Sequence, residues 1–129
     1  MKALKLFITV IILALATSSC LYDFIPPEEP APDPNDPNAA QVSFSTDIQP
    51  IFTNNCVACH KTGGQMPDLS AGKAYAAINS SRYINTSSPD QSLIYLHPSP
   101  TTSTHTHKKY TATQAAIILT WITQGAKNN

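Results

Sequence analysis

Hydrophobic side chains recur at helical spacing in three parts of the chain. The first predicted helix has Ser45, Thr46 and Asp47 as candidates for its N-cap and holds Pro50 in its opening turn, where proline is tolerated. It ends near Asn54 and Asn55. Four apolar residues fall on one side of this helix at the spacing of an amphipathic segment, namely Phe44, Ile48, Ile51 and Phe52.

Capping residues and apolar spacing predict two further helices. Ser70 is a candidate N-cap for a short helix over residues 71–78, which polar residues then terminate. Thr111 and Gln114 have the spacing of a capping box, and Gly125 occupies the place of a helix stop. The helix between these signals has a broad apolar face that consists of Ala115, Ile118, Leu119, Trp121 and Ile122.

The remaining chain contains no pair of strands joined by a hairpin turn. Prolines and Ser/Thr residues predict a loop over residues 89–106, interrupted by the apolar residues 93–96. The pattern therefore predicts an all-α fold for residues 41–129.

A signal for export precedes the helical region. Lys2 and Lys5 stand before an apolar run over residues 6–16, and small polar residues lead from that run to Cys20. This order is that of a secretory signal, and the run is about half the ~20 residues of a membrane-spanning helix. We therefore expect a signal peptide over residues 1–19.

The cysteine after this signal resembles the lipobox of bacterial lipoproteins, in which that cysteine is acylated and becomes the mature N-terminus. Thr17 stands three positions before Cys20, where the usual pattern has Leu. The resemblance implies that Cys20 is lipidated and anchors the protein to a membrane, facing the periplasm or the cell surface. An ordinary cleaved signal with an unmodified Cys20 is the alternative.

Residues 20–40 have a different composition from the rest. The stretch from Asp23 to Ala40 holds five acidic residues, six prolines and no basic residue. Proline fixes φ and removes a hydrogen-bond donor, and like charges repel, so we expect a disordered, extended tether.

The charge balance changes when the chain is divided in this way. The 129 residues carry eight basic and eight acidic side chains without a basic run, which argues against a nucleic-acid partner. Residues 41–129 alone carry six basic and three acidic side chains. The predicted domain is therefore net positive, and it is small enough to gain from a cofactor in its core.

The chemistry of the domain centres on residues 56–60, where Cys56, Cys59 and His60 form a C-x-x-C-H motif. This is the attachment pattern of c-type haem. Two thiols at this spacing can add to the two vinyl groups on one edge of a haem, and the next residue then supplies an axial imidazole. The motif thus predicts one covalent haem c.

Three other interpretations of the motif stay open. A thioredoxin-like dithiol would follow a strand and open a helix, whereas here a predicted helix ends before Cys56. A zinc site could use both cysteines and two of the four histidines, but the chain lacks the short finger spacing. A disulfide between Cys56 and Cys59 would close a very short loop and would leave His60 without a role.

The chain resembles a mono-haem cytochrome c domain of exported bacterial lipoproteins. The resemblance rests on residues 44–60, 68–75 and 92–96, and on residues 118–126 with their W-I-x-x-G-A motif. It implies a small all-helical fold whose first and last helices cross beside the haem. We expect an apolar shell around the haem from Phe52, Leu69, Tyr75, Leu93, Ile118 and Trp121.

The second iron ligand departs from that family. The family usually supplies Met from the loop before the last helix, but residues 103–110 contain His105 and His107 and no Met. His105 is therefore the expected distal ligand, and bis-histidine ligation gives a lower potential than Met/His ligation. His107, Met66, His97 and an open iron position are the alternatives.

These expectations predict an electron carrier that exchanges single electrons with membrane-bound or exported redox proteins and is not itself an enzyme. Lys61, Lys108 and Lys109 are either a docking patch for an acidic partner or ordinary solvated lysines. A haem-based sensor of small ligands with an open or displaceable sixth ligand is the alternative function, and a lipoprotein without haem is a third.

Overall fold

The computed structural model describes residues 32–129. The predicted signal peptide, Cys20 and the first part of the predicted tether lie outside the described residues. Within residues 32–129, no helix is both long and apolar enough to cross a membrane.

The domain begins with a π-helical turn, Phe44–Ile48, which continues into helix α1, Gln49–Asn55. The N-cap is Ser43, whose hydroxyl accepts a hydrogen bond from the Thr46 amide. The Asp47 carboxylate accepts a 2.7 Å hydrogen bond from the Ser43 amide. The predicted cap at residues 45–47 was therefore too late, because Asp47 lies within the first turn and binds back to the true cap.

Three short elements lie between α1 and the last helix. Helix α2, Ala74–Ile78, begins later than predicted because residues 71–73 form a turn in which Gly72 has a φ of 78°. A 3-10 turn, Pro89–Gln91, leads into helix α3, Leu93–Leu96. The apolar interruption of the predicted loop is thus a single helical turn.

The last helix, α4, spans Ala112–Thr123 and confirms its sequence signals. The Thr111 hydroxyl accepts from the Gln114 amide, and the Gln114 side chain accepts from the Thr111 amide, both at 3.1 Å. Gly125 has a φ of 95°, a conformation that costs glycine nothing and allows the chain to leave the helix.

Aromatic packing joins the first helical segment to α4. The Phe44 ring centre lies 5.4 Å from that of Trp121 and 5.2 Å from that of Tyr75. The Trp121 indole is fully buried and donates a 2.9 Å hydrogen bond to the Lys127 carbonyl. The regular secondary structure of residues 32–129 is helical and includes no strand, which confirms the predicted all-α class. Other buried core residues are Ile48, Ile51, Phe52, Ile78, Ala115, Ile118 and Ile122.

The part of the predicted tether that the structure describes lies against α4. Residues 33–39 form two consecutive turns, closed by 3.1 Å hydrogen bonds from Asp36 to Asp33 and from Ala39 to Asp36. The hydroxyl of Thr120 donates to the Pro32 carbonyl, and Gln124 donates to the Ala40 carbonyl. The segment therefore enters the domain along its last helix.

Candidate functional site

A cleft of about 860 Å³ contains the C-x-x-C-H motif. This volume falls in the range of about 300–1,000 Å³ that is typical of ligand and cofactor sites. One wall comes from the end of α1 and residues 56–69, and the facing wall comes from residues 93–98 and 104–108. Both cysteines of the motif and all four histidines of the chain line this cleft.

The end of α1 places the two thiols. The Cys56 amide still donates to the Phe52 carbonyl at 2.8 Å, and the amides of Cys59 and His60 then both donate to the Cys56 carbonyl. This turn holds Cys56 and Cys59 at the cleft as free thiols, the first half-buried and the second exposed. The structure therefore contains no disulfide between Cys56 and Cys59. Burial raises the pKa of the Cys56 thiol to about 11, although nearby Lys108 acts in the opposite direction.

His60 has one ring nitrogen engaged and one available. Its Nδ1 lies 3.3 Å from the carbonyl oxygen of Pro67. Because a carbonyl only accepts hydrogen bonds, Nδ1 carries the proton and the lone pair of a neutral ring is on Nε2. A metal-binding histidine usually has its second nitrogen engaged in this way.

The loop after the motif folds back on the motif itself. The Gln65 amide donates to the Cys59 carbonyl at 2.9 Å, and the Gly64 amide donates to the Lys61 carbonyl at 2.8 Å. A Cβ on Gly64 would lie 2.3 Å from the Cys59 oxygen, so only glycine fits this approach. Sequence reasoning missed Gly64, although the pair Gly63-Gly64 directly after the motif was a usable signal.

His105 faces His60 across the cleft. The ring centres lie 6.3 Å apart and the ring planes differ by 24°. The Nδ1 atom of His105 is buried and has no hydrogen-bond partner in the structure. Burial, followed by the neighbouring histidines, lowers the pKa of His105, which favours the neutral imidazole that binds metals.

This separation of the two rings suits a shared metal atom. Metal–imidazole bonds are about 2 Å long, so two donor nitrogens on opposite sides of one metal lie ~4 Å apart and the ring centres roughly 6 Å apart. The observed 6.3 Å between the ring centres of His60 and His105 agrees with that value. The distance between the two ring centres is thus compatible with one metal atom bound by both imidazoles.

Hydrogen bonds on the facing wall hold the loop that carries His105. The Tyr110 hydroxyl is buried and donates to the Ile94 carbonyl at 3.0 Å, and the Tyr110 amide donates to the Pro98 carbonyl at 3.0 Å. The ammonium of Lys109 donates to the Thr102 carbonyl. The C-terminal end of the loop is thus held against α3 and against the start of the loop, which places His105 opposite the motif.

The other ligand candidates occupy different positions in the cleft. The rings of His97 and His107 lie nearly at right angles to that of His105, with ring centres 5.2 Å and 6.4 Å away. A hydrogen bond of 3.1 Å joins His97 Nδ1 to the Thr104 hydroxyl. Met66 lines the cleft but is 70% exposed. Of these candidates, His105 is the one whose ring faces that of His60.

The six residues of the expected apolar shell lie in two different places. Leu69 and Leu93 line the cleft, whereas the other four residues do not. The reason is that α4 directs its apolar face at the first helical segment, as the contact between Trp121 and Phe44 shows. The residues that belong to this packing and not to the cleft wall are Phe52, Tyr75, Ile118 and Trp121.

The donor set fits a haem held by two thiols and two imidazoles. Among the described residues, no three His, Cys, Asp or Glu side chains form a group that could hold a metal ion. Haem iron needs only one or two protein ligands, and its thioether bonds need the two free cysteines.

Comparison of the chain with models of known protein families, with curated proteins and with solved structures finds no match.

Proposed function

We propose that this protein is an electron carrier with a cytochrome c-like fold that holds one covalent haem in the cleft. Cys56 and Cys59 would form the two thioether bonds, and His60 and His105 would be the axial ligands. The observation that carries the proposal is the pair of imidazoles of His60 and His105, whose ring centres lie 6.3 Å apart in the same cleft as the two free thiols. Bound haem supplies a reversible one-electron change at iron.

The residues of the cleft favour electron transfer over substrate chemistry. If His60 and His105 both held the iron, no iron position would be left for a substrate, and the bound haem would supply electron exchange with a partner protein. Bis-histidine ligation also lowers the potential relative to Met/His ligation. Lys108 lines the cleft, and the exposed Lys61 follows the motif directly. Positive charge at this face would increase the rate of encounter with an acidic redox partner.

The proposal extends to the part of the chain before the domain. An export signal before Cys20 would place the carrier outside the inner membrane, where c-type haem is attached, and a lipid on Cys20 would keep it at a membrane. The tether would then let the domain reach both donor and acceptor from one anchor point. The partners would be membrane-bound or exported redox proteins.

Production of the exported protein together with a haem-maturation system tests the proposal. We expect a coloured protein whose polypeptide mass includes one haem, and loss of the covalent haem in the double variant Cys56→Ala/Cys59→Ala. Colourless wild-type protein would end the haem interpretation. Binding of carbon monoxide to the reduced wild-type protein would instead support the sensor alternative.

Low-temperature spin-resonance spectra identify the distal ligand. The oxidised wild-type protein should give a low-spin, six-coordinate signal, and His105→Ala should convert it to a high-spin signal that added imidazole reverses. His107→Ala is the matched control, because His107 lies in the same loop and should leave the low-spin signal in place. A low-spin signal that is unchanged in His105→Ala would rule out His105.

A further inference from the structure

A second set of contacts closes the loop that follows His60. The Thr62 hydroxyl donates a 2.6 Å hydrogen bond to one oxygen of the Asp68 carboxylate, and the Ser70 amide donates to the other oxygen at 3.0 Å. The Lys73 ammonium donates to the Thr62 hydroxyl at 2.6 Å and lies 3.8 Å from the carboxylate. The Asp68 clamp is this set of four residues, namely Thr62, Asp68, Ser70 and Lys73.

The clamp lies directly beside the contacts of His60. Pro67 precedes Asp68 and accepts the hydrogen bond from His60 Nδ1. Leu69 follows Asp68, and its amide donates to the His60 carbonyl at 2.9 Å. Both neighbours of Asp68 in the chain therefore hold His60, one by its ring and the other by its backbone.

The clamp links the two arms of the loop. Thr62 is two residues after His60 on the outgoing arm, whereas Asp68 is on the returning arm next to Pro67. Hydrogen bonds from Thr62 and Ser70 are the main reason why the pKa of Asp68 falls to about 2. The carboxylate is thus charged throughout the neutral range, and hydrogen bonds to a charged acceptor are stronger than those between neutral groups.

We propose that Asp68 is a positioning residue that acts through Pro67 to set the orientation and donor strength of His60 toward a bound haem iron. The inference rests on the proposed function and adds a role that the motif itself does not contain. A hydrogen bond from the outer nitrogen of a metal-binding imidazole orients the ring and raises its basicity. A more basic imidazole stabilises the oxidised iron, so a looser clamp should raise the reduction potential.

The test compares three variants of the haem-loaded full-length protein. Asp68→Asn removes the charge of the clamp, and Thr62→Val removes a hydrogen bond while it retains that charge. Asp90→Asn is the matched control, because Asp90 is also a loop carboxylate but its side chain accepts only from neighbouring Gln91 at 2.9 Å. The measurements are the reduction potential, the low-spin g-values and the exchange rate of the His60 Nδ1 proton in the reduced, diamagnetic protein.

We expect Asp68→Asn and Thr62→Val to raise the potential, to shift the g-values and to accelerate the exchange of the Nδ1 proton. Asp90→Asn should leave all three measurements at the wild-type values. Thr62→Val provides the test even if Asp68→Asn fails to fold, because the carboxylate keeps its Ser70 contact.

Two results would overturn the inference while haem is bound. The first is a shifted reduction potential in Asp68→Asn and an unchanged one in Thr62→Val. That result would mean that the charge of Asp68 acts on the iron through space and not through the position of His60. The second is wild-type behaviour of both variants. Wild-type protein that lacks haem would instead overturn the proposed function, and with it the role of Asp68.

Discussion

The change Gly64→Ala tests the tight turn that packs the following loop onto the C-x-x-C-H motif. The added Cβ would lie 2.3 Å from the Cys59 carbonyl oxygen and 3.1 Å from that of Lys61. Real Cβ atoms essentially never approach closer than 3.0 Å, so the two atoms must separate by about 0.7 Å. Both neighbours are backbone atoms, which cannot rotate away as the end of a side chain can.

Two effects contribute to the expected loss of stability in Gly64→Ala. Overpacking of this kind typically destabilises a protein by about 1–3 kcal/mol. Displacement of the Cys59 carbonyl also weakens its hydrogen bond from the Gln65 amide, which contributes about 0.5–1.5 kcal/mol. We therefore expect Gly64→Ala to lower the free energy of unfolding by about 2–4 kcal/mol, a large part of the ~5–15 kcal/mol that is typical of a folded protein.

Urea denaturation of the haem-loaded protein measures this change in stability. Gly72→Ala is the control, because Gly72 has a φ of 78° but its Cβ would meet no atom within 4 Å. That variant has only the cost of left-handed backbone, about 1–2 kcal/mol. The reasoning would be refuted if Gly64→Ala unfolded at the wild-type urea concentration, or lost less stability than Gly72→Ala.

Three further predictions concern single side chains of the site. Tyr110→Phe leaves the buried Ile94 carbonyl without its donor and should lower the free energy of unfolding in urea by about 1–3 kcal/mol; an unchanged free energy would contradict this. The pKa of Asp68 is depressed to about 2 from 3.8, so its stabilising effect is complete above pH 4 and is lost as pH falls toward 2. Acid titration of Asp68→Asn should lack this part of the pH dependence; an unchanged acid profile would contradict it. The pKa of the free Cys56 thiol is raised to about 11 from 9.0, so its thiolate should be ~100-fold scarcer at neutral pH than that of an ordinary cysteine. Iodoacetamide labelling followed by mass spectrometry checks this, and labelling of Cys56 as fast as a model thiol would refute it.

The helices show where local signals suffice and where they do not. The capping box of α4 joins Thr111 to Gln114, three positions away, so its hydrogen bonds need nothing from the rest of the fold. The first helical segment was harder to predict, because its polar residues offered several caps. The choice of Ser43 coincides with contacts from the chain end, since the Phe44 amide donates to the side chain of Asn129 at 3.0 Å.

The sequence by itself determined the all-α class, the last helix and the C-x-x-C-H motif, because each depends on residues within a few positions of one another. It also placed His105 ahead of the other ligand candidates, through a resemblance and not through geometry. The tertiary structure decided which histidine faces His60 and which residues wall the cleft. These depend on the path of a long loop, which Tyr110 and its neighbours hold against α3. The tertiary structure also decided the role of the Asp68 clamp. That role depends on the contact between Pro67 and the His60 ring, which no spacing along the chain predicts.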